Sequence, residues 1–282
     1  MKKIERGREF VRQHLSLFRC PVCHEPMETV TDNSVCCGNG HQIDFNKHGY
    51  LYFLQQGGQT EYDAEMLTAR RALLTAGLFR PMVTALAALM PATSQTILDV
   101  GSGEGTPLKQ LLDRRHAADT AIGFDISKPG VTLATQLATS AFFCIADLRR
   151  LPFNDQSFDT VVEIFSPSDY DEFHRILKPG GQLLKVVPNG RYLGELRDLL
   201  YESGNHQTYD NSRVVDRFKQ RFHNVQEQRV AYQFEVPAAL RSSLVLMTPL
   251  HWGKDAKHLT DSEIQQLTTI TVDVTILRAN NE

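Results

Sequence analysis

No stretch of the 282-residue sequence is apolar for long enough to span a bilayer, which takes about 20 such residues, so no membrane partner is expected. Nor is there an excess of one charge. Thirty Lys and Arg against 33 Asp and Glu leave a net charge of −3, so contact with RNA or DNA would need a local basic surface. Tryptophan occurs once, at Trp252, and cysteine five times. The basic start, residues 1–18, lacks the apolar core of a secretory signal, and Glu5 and Glu9 speak against a transit peptide. It reads either as a short amphipathic helix, with Ile4, Phe10, Val11 and Leu15 on one face, or as a solvated extension; a cytoplasmic location is expected. With 41% hydrophobic and 22% charged residues the composition is that of a globular protein, and the length suits one large domain with a small appendage.

Four of the five cysteines lie between positions 20 and 37. Without an export signal, such crowding points to a metal site rather than a disulfide framework. Cys20-Pro-Val-Cys23 is a tight knuckle, and a second pair follows as Cys37-x3-His41 or Cys36-x4-His41. Two such pairs about a dozen residues apart supply four ligands for a zinc tetrahedron, which leaves no open position and makes the ion structural. His24, beside the knuckle, reads as a surface residue. The latter half of residues 47–54 alternates like a strand. Arg19, Lys47, His48, Tyr50 and Tyr52 either present basic and aromatic groups to RNA or pack this ribbon on the main domain. Residues 55–60 read as a linker.

Helical spacing follows over 63–76, ending at Gly77, and Pro81 opens a second helix running to about Met90. Ile97-Leu-Asp-Val-Gly101-Ser-Gly103-Glu104-Gly105 is then a strand running into a glycine turn and a helix over 106–115, the opening of a nucleotide-type cofactor site. A strand over 120–125 ends in Asp125, where a carboxylate can accept bonds from ribose hydroxyls. A helix from Ser127 to about Ala138 follows, then a strand over 141–147 ending in Asp147, with Cys144 as a core residue. Leu151-Pro-Phe-Asn-Asp-Gln-Ser-Phe-Asp159 leads into a fourth strand over 160–165, a helix over 170–177, a Lys178-Pro-Gly-Gly181 turn and a fifth strand over 182–187. A helix over 213–222, a strand over 225–236 and a final strand over 269–278 fit an antiparallel sixth–seventh pair.

The order LDVGSGEG, GFDIS, an Asp before LPFxDxSFD, and LKPGG resembles the class I S-adenosylmethionine-dependent methyltransferases over residues 96–188. The fold implied is α/β, a Rossmann-like seven-stranded sheet, here with an N-terminal zinc-binding module. By that resemblance Gly101 and Gly103 approach the methionine moiety with Glu104 on the same loop, Asp125 holds the ribose, and Asp147 with the Leu148 backbone reads the adenine edge. The Cys20–Cys23 knuckle, the CxxxHxxD stretch to Asp44, and AEMLTARRALLTAG are together similar to a narrower family, the RlmA-type 23S rRNA guanine-N1 methyltransferases; Gly49-Tyr50, residues 190–201 and Met247-Thr-Pro249 match as well. Family spacing selects Cys37 over Cys36, making Cys20, Cys23, Cys37 and His41 the zinc set. The family also suggests Phe79 and Tyr192 as cofactor contacts, where some relatives carry Tyr and His. It implies 23S ribosomal RNA as partner, a homodimer, and three segments: extension (1–18), zinc module for RNA (19–58) and methyltransferase domain (59–282).

Guanine N1 carries a proton, so a base or an enolate-stabilising donor should help transfer. The Asp/Asn-Pro-Pro-Tyr/Phe signature of enzymes acting on exocyclic base amines is absent after the fourth strand. Asp169 is the candidate base there, or else a helix cap. Arg191 and Arg197 contact phosphate or line a solvated helix face, and Trp252 stacks on a flipped base or packs in the core. Two further functions compete: a quinone- or sterol-type small-molecule methyltransferase, which shares LPFxDxSFD, and a non-catalytic zinc-ribbon RNA-binding protein.

Overall fold

The computed structural model describes residues 1–55, 63–201 and 210–282; beyond Gln55 the expected linker lies outside the described residues. An N-terminal helix, α1 (Lys3–Gln13), precedes a three-stranded antiparallel sheet of β1 (Met27–Val30), β2 (Ser34–Cys37) and β3 (Gln42–Asp44), after which comes β4 (Leu51–Tyr52). Then follow α2 (Ala64–Ala76), α3 (Arg80–Leu89), β5 (Thr96–Val100), α4 (Thr106–Arg114), β6 (Thr120–Asp125), α5 (Lys128–Ala134), β7 (Phe142–Ile145), β8 (Phe158–Ile164), α6 (Tyr170–Ile176) and β9 (Leu177–Pro188). The chain closes with α7 (Gly194–Leu200), α8 (Ser212–Arg221), β10 (Gln226–Glu235), α9 (Arg241–Leu246), α10 (Asp261–Ile264) and β11 (Thr269–Asn280). No single helix among the described residues is long and apolar enough to cross a membrane.

The large sheet has the order β10-β11-β9-β8-β5-β6-β7-β4. Its seven expected strands are present, parallel from β7 to β9, with β11 inserted antiparallel between β9 and β10. The eighth strand, β4, pairs in parallel with β7 through Leu51–Cys144 and Tyr52–Ile145. It lies in the half of residues 47–54 whose alternation reads as a strand, and it adds an eighth strand to the seven expected in the large sheet. The inner parallel strands are covered on both faces and so are apolar throughout, as in the fully buried Phe142-Phe-Cys-Ile145. Asp63 caps α2 by accepting the Met66 amide at 2.8 Å, and Gly77 ends the helix in the left-handed region (φ +109°).

The N-terminal segment is packed, not solvated. Phe10 stacks on Phe142, Val11 is fully buried, and a Cβ on Gly7 would lie 1.9 Å from the carbonyl oxygen of Gly49. The helix thus crosses the 48–50 loop backbone to backbone. Phe18, with no exposed surface, sits among Phe53, Phe142 and Phe153 at centroid distances of 5.8–6.2 Å. Asn154 donates its amide to the carbonyls of Ser16 (2.8 Å) and Phe18 (3.0 Å). Arg19 donates to Leu151 O at 3.3 Å and pairs with Asp155 and Glu172, both at 3.7 Å. Of the residues read as an RNA-facing set, Arg19 and Tyr50 are therefore turned inward, Tyr50 to 1% exposure, while Lys47 and Tyr52 are exposed and His48 is half-buried.

Phe18→Ala should cost about 3–5 kcal/mol in chemical denaturation while the protein still binds zinc. A loss below about 1 kcal/mol would show that this seam does not cement the module.

Candidate active site and metal centre

The strand order reverses at β5, which has β6 on one side and β8 on the other, and such a switch point opens a crevice at the carboxyl ends of the strands. The turn after β5 lies there. Gly101 and Gly103 adopt φ of +67° and +55°, in the region side chains disfavour. Gly101 has a second constraint, because a Cβ on it would stand 2.2 Å from the hydroxyl of Ser166. Ser102 Oγ is buried in this turn without a partner.

Three acids surround the turn. Asp125 accepts the Gly103 amide on Oδ2 (2.8 Å) and the Ser127 amide on Oδ1 (2.7 Å), which leaves each oxygen a lone pair for a further donor. Asp99 is 3% exposed, and burial, reinforced by Asp125 and Glu104, pushes its carboxyl up to about 7. Glu104 is sealed and committed to Arg71 Nε (3.1 Å) and the Thr106 hydroxyl (2.5 Å), so it ties α2 to the turn. A site with this surplus of carboxylate and an orphaned hydroxyl fits a cationic, polyhydroxylated ligand, and S-adenosylmethionine has a sulfonium, an α-ammonium and a ribose.

An aromatic cluster adjoins the turn through Phe165, the residue before Ser166. Phe79 meets Phe165 edge-on at 5.8 Å, and Phe165 leans on Tyr192 at 5.0 Å. Phe79 and Tyr192 are both buried, and the guanidinium of Arg70 stands 5.5 Å from the Phe79 ring centre. Phe165 takes a left-handed backbone (φ +58°), a strain of about 1–3 kcal/mol for a side-chain-bearing residue. Arg70, Phe165 and a buried pair, Glu163 and Lys185, were not singled out from the sequence. The AEMxxARR stretch held the signal for Arg70, since Arg71 and Arg70 are adjacent on a helix that packs beside the turn.

The other candidates are scattered. Asp147 accepts the Arg149 amide (3.0 Å) just beyond β7, with Leu148 opening the short turn that follows. Asp169 caps α6 by accepting the Glu172 amide at 3.2 Å. Arg197 is buried, not on a solvated face, and donates to Tyr192 O at 3.0 Å. Arg191 is exposed and pairs with Asp198. Trp252 is 39% exposed, so it does not belong to the core.

In the small sheet, Cys20, Cys23, Cys37 and His41 bring one ligand atom each within 4.8 Å of one another. Cys23 and Cys37 sulfurs are 3.7 Å apart and Cys37 Sγ is 3.5 Å from His41 Nδ1. A zinc tetrahedron with bonds of about 2.3 Å to sulfur and about 2.0 Å to nitrogen spaces its ligands by about 3.5–3.8 Å, so the donor set fits that ion. The Glu25 backbone amide draws the Cys23 thiol down to about 6, toward the thiolate a metal requires. Cys36 stays outside the cluster because neighbours on a strand point to opposite faces. His24 is exposed with φ +63°, turning the chain after the knuckle.

Asp99 also has a consequence for stability. Its carboxyl titrates near 3.8 when unfolded and near 7 when folded, so its proton stabilises the fold fully below about pH 3.8, and that contribution is lost as pH rises through 7. Asp99→Asn should therefore gain on the wild type in denaturant midpoint between pH 5 and pH 8. An equal pH dependence in both proteins would rule this out.

A family model described as "Methyltransferase domain" matches residues 97–181, and one described as "RlmA, N-terminal" matches residues 18–55. YxjB of Bacillus subtilis (strain 168), to which 23S rRNA (guanine-N(1)-)-methyltransferase activity is ascribed, is 39% identical over 93% of this chain and 96% of its own. The 23S rRNA (guanine(748)-N(1))-methyltransferase of Streptomyces fradiae is 30% identical over 91% and 94%. By contrast, a demethylmenaquinone methyltransferase of Thermotoga maritima is 26% identical over only 34% of this chain and 42% of its own. With a zinc-ribbon model at one end, a methyltransferase model in the middle and relatives matching along nearly their whole length, this protein belongs to the RlmA-type 23S rRNA (guanine-N1)-methyltransferase family.

Proposed function

We propose that the protein transfers a methyl group from S-adenosylmethionine to N1 of a guanine in a 23S ribosomal RNA hairpin. The observation that carries this reading is the union, in one chain, of a Cys/His cluster of zinc dimensions with an acid-lined, aromatic-walled crevice at the sheet's switch point. The small-molecule alternative leaves the metal module without a task. When bound, S-adenosylmethionine supplies an electrophilic methyl on a sulfonium. In this proposal Gly101 and Gly103 let the backbone approach the methionine moiety while Glu104 fixes the turn. Asp125 accepts the ribose hydroxyls, and Asp147 with the Leu148 backbone meets the adenine edge. Phe79 and Tyr192 enclose the donor from the other side. The N1 proton must leave as the new bond forms, and half-buried Asp169, with one oxygen committed to the α6 amide, is its proposed acceptor.

Residues 19–58 serve as the RNA-recognition module around a zinc held by Cys20, Cys23, Cys37 and His41, and residues 59–282 as the transfer domain. Two chains per assembly, which the family implies, and a cytoplasmic location complete the proposal.

Purified protein, labelled methyl donor and 23S rRNA lacking the modification should yield a labelled guanine, mapped as a primer-extension stop. Labelling of metabolites but never of RNA would overturn the proposal. Asp125→Ala removes the acceptor of two charge-assisted hydrogen bonds and should weaken donor binding by roughly 100-fold in calorimetry. Metal analysis should find one zinc per chain, kept by Cys36→Ser and lost by Cys37→Ser; the reverse pattern would exchange the two cysteines in the ligand set.

A further inference from the structure

Beneath the crevice lies a polar group that none of the roles above employs. Glu163, at the end of β8, is fully buried, and Lys185, across from it on β9, is 3% exposed. The ammonium of Lys185 donates to Glu163 Oε1 (2.5 Å), to Ser168 Oγ (2.9 Å) and to the carbonyl oxygen of Ser166 (3.3 Å). All three of its protons are thus matched. Ser168 in turn donates to the Glu163 carboxylate at 2.9–3.0 Å. The hydroxyl of Ser166 donates to Val100 O at 2.8 Å, one residue before Gly101. A buried ion pair adds little stability over an apolar pair of equal volume, so its retention calls for another account.

The account is geometric. Residues 165–168 leave β8 through the left-handed Phe165, whose ring touches Phe79 and Tyr192. Locally a long Ser166 Oγ–Ile164 O bond of 3.4 Å spans Phe165. Lys185 grips the chain at Ser166 and Ser168, immediately beyond the strained residue, and Ser166 fastens it to the turn that, on the reading above, carries the methyl donor. We propose that Lys185 and Glu163 are positioning residues for methyl transfer, which lock the 165–168 segment in register with the glycine turn and so set the distance between acceptor and methyl group. Neither touches the reacting atoms. Their effect reaches the reaction through Ser166, Ser168 and Phe165.

The full-length, zinc-loaded protein tests this with the double variant Glu163→Leu/Lys185→Met, which replaces the ion pair by an apolar one and keeps the volume. It should melt close to the wild type. Under single-turnover conditions with saturating undermodified 23S rRNA, its transfer rate should fall by roughly 100-fold, as a displacement of about 1 Å can cause. Half-saturation by RNA and affinity for S-adenosylhomocysteine should stay within about threefold, a split that a merely weakened fold would not give. Amide exchange at Phe165, Ser166 and Ser168 should rise by about tenfold while the β5 and β6 amides are unchanged. Ser166→Ala, which removes the hydroxyl's bonds to Val100 O and, more weakly, to Ile164 O, should reproduce the rate loss. A folded double variant with the wild-type rate would overturn the positioning role. Should the wild type itself leave RNA unmethylated, the functional reading fails, and the exchange measurement still decides whether the lock exists: unchanged exchange at Phe165, Ser166 and Ser168 removes it.

Discussion

The contact between Gly101 and Ser166 is the constraint around which the site is arranged. A side chain at 101 has no room, because the Ser166 hydroxyl occupies its place and is bonded to the preceding carbonyl. The loops following β5 and β8 are therefore joined, where the open switch point of a doubly wound sheet usually leaves them as separate walls. The other parts take their places from this junction. From β6, Asp125 reaches back to the Gly103 amide, and from α2, Arg71 reaches Glu104. Phe165 accepts a strained backbone because the chain on its far side is already fastened.

Charge is distributed by burial more than by number. The chain is close to neutral, yet the turn concentrates Asp99, Glu104 and Asp125, with burial raising the carboxyls of Asp99 and Asp125. Arg71 pairs with Glu104 and Arg70 offsets part of the charge of Asp99 and Asp125, and a further cation would relieve the cost of burying the remainder. Several basic groups that could have faced a nucleic acid hold the fold together. Arg175, for instance, bonds Phe153 O, Asp155 and Glu172, beside Arg19 at the seam under the metal module. A count of Lys and Arg along the chain therefore overstates the basic surface near that seam.

The strands of the donor domain and the two ligand pairs were legible in the sequence because each is signalled locally, by apolar runs, glycine turns and close spacing. Helix α2 was legible to within a residue, since Asp63 and Gly77 carry its caps. What escaped depends on register between distant segments. Glu163 and Lys185 are 22 positions apart and meet only because β8 and β9 pair in parallel with Glu163 opposite Lys185. Strand β4 lies in the half of residues 47–54 that alternates like a strand, but its place beside β7 depends on register with the distant Cys144 and Ile145. For Tyr50 and Arg19 the sequence left recognition and packing both open; Arg19 turns in to Asp155 and Glu172 beside the Phe18 seam, and Tyr50 is buried in the core that holds Leu73 and Phe79. Trp252, the lone tryptophan, is exposed for reasons that no pattern of neighbouring residues announces.

The pairing of β4 with β7 has a mechanical consequence. Phe53, just past β4, donates its amide to Ile145 O at 2.8 Å, two residues before Asp147. The metal-bearing end is thus welded to the sheet by main-chain bonds as well as by the Phe18 seam, and it has no hinge at this point to swing on. If, as proposed, that end holds the RNA, the RNA would lie at a set span from the donor crevice, and the molecule would act as a caliper, choosing a base by how far it stands from the feature being held.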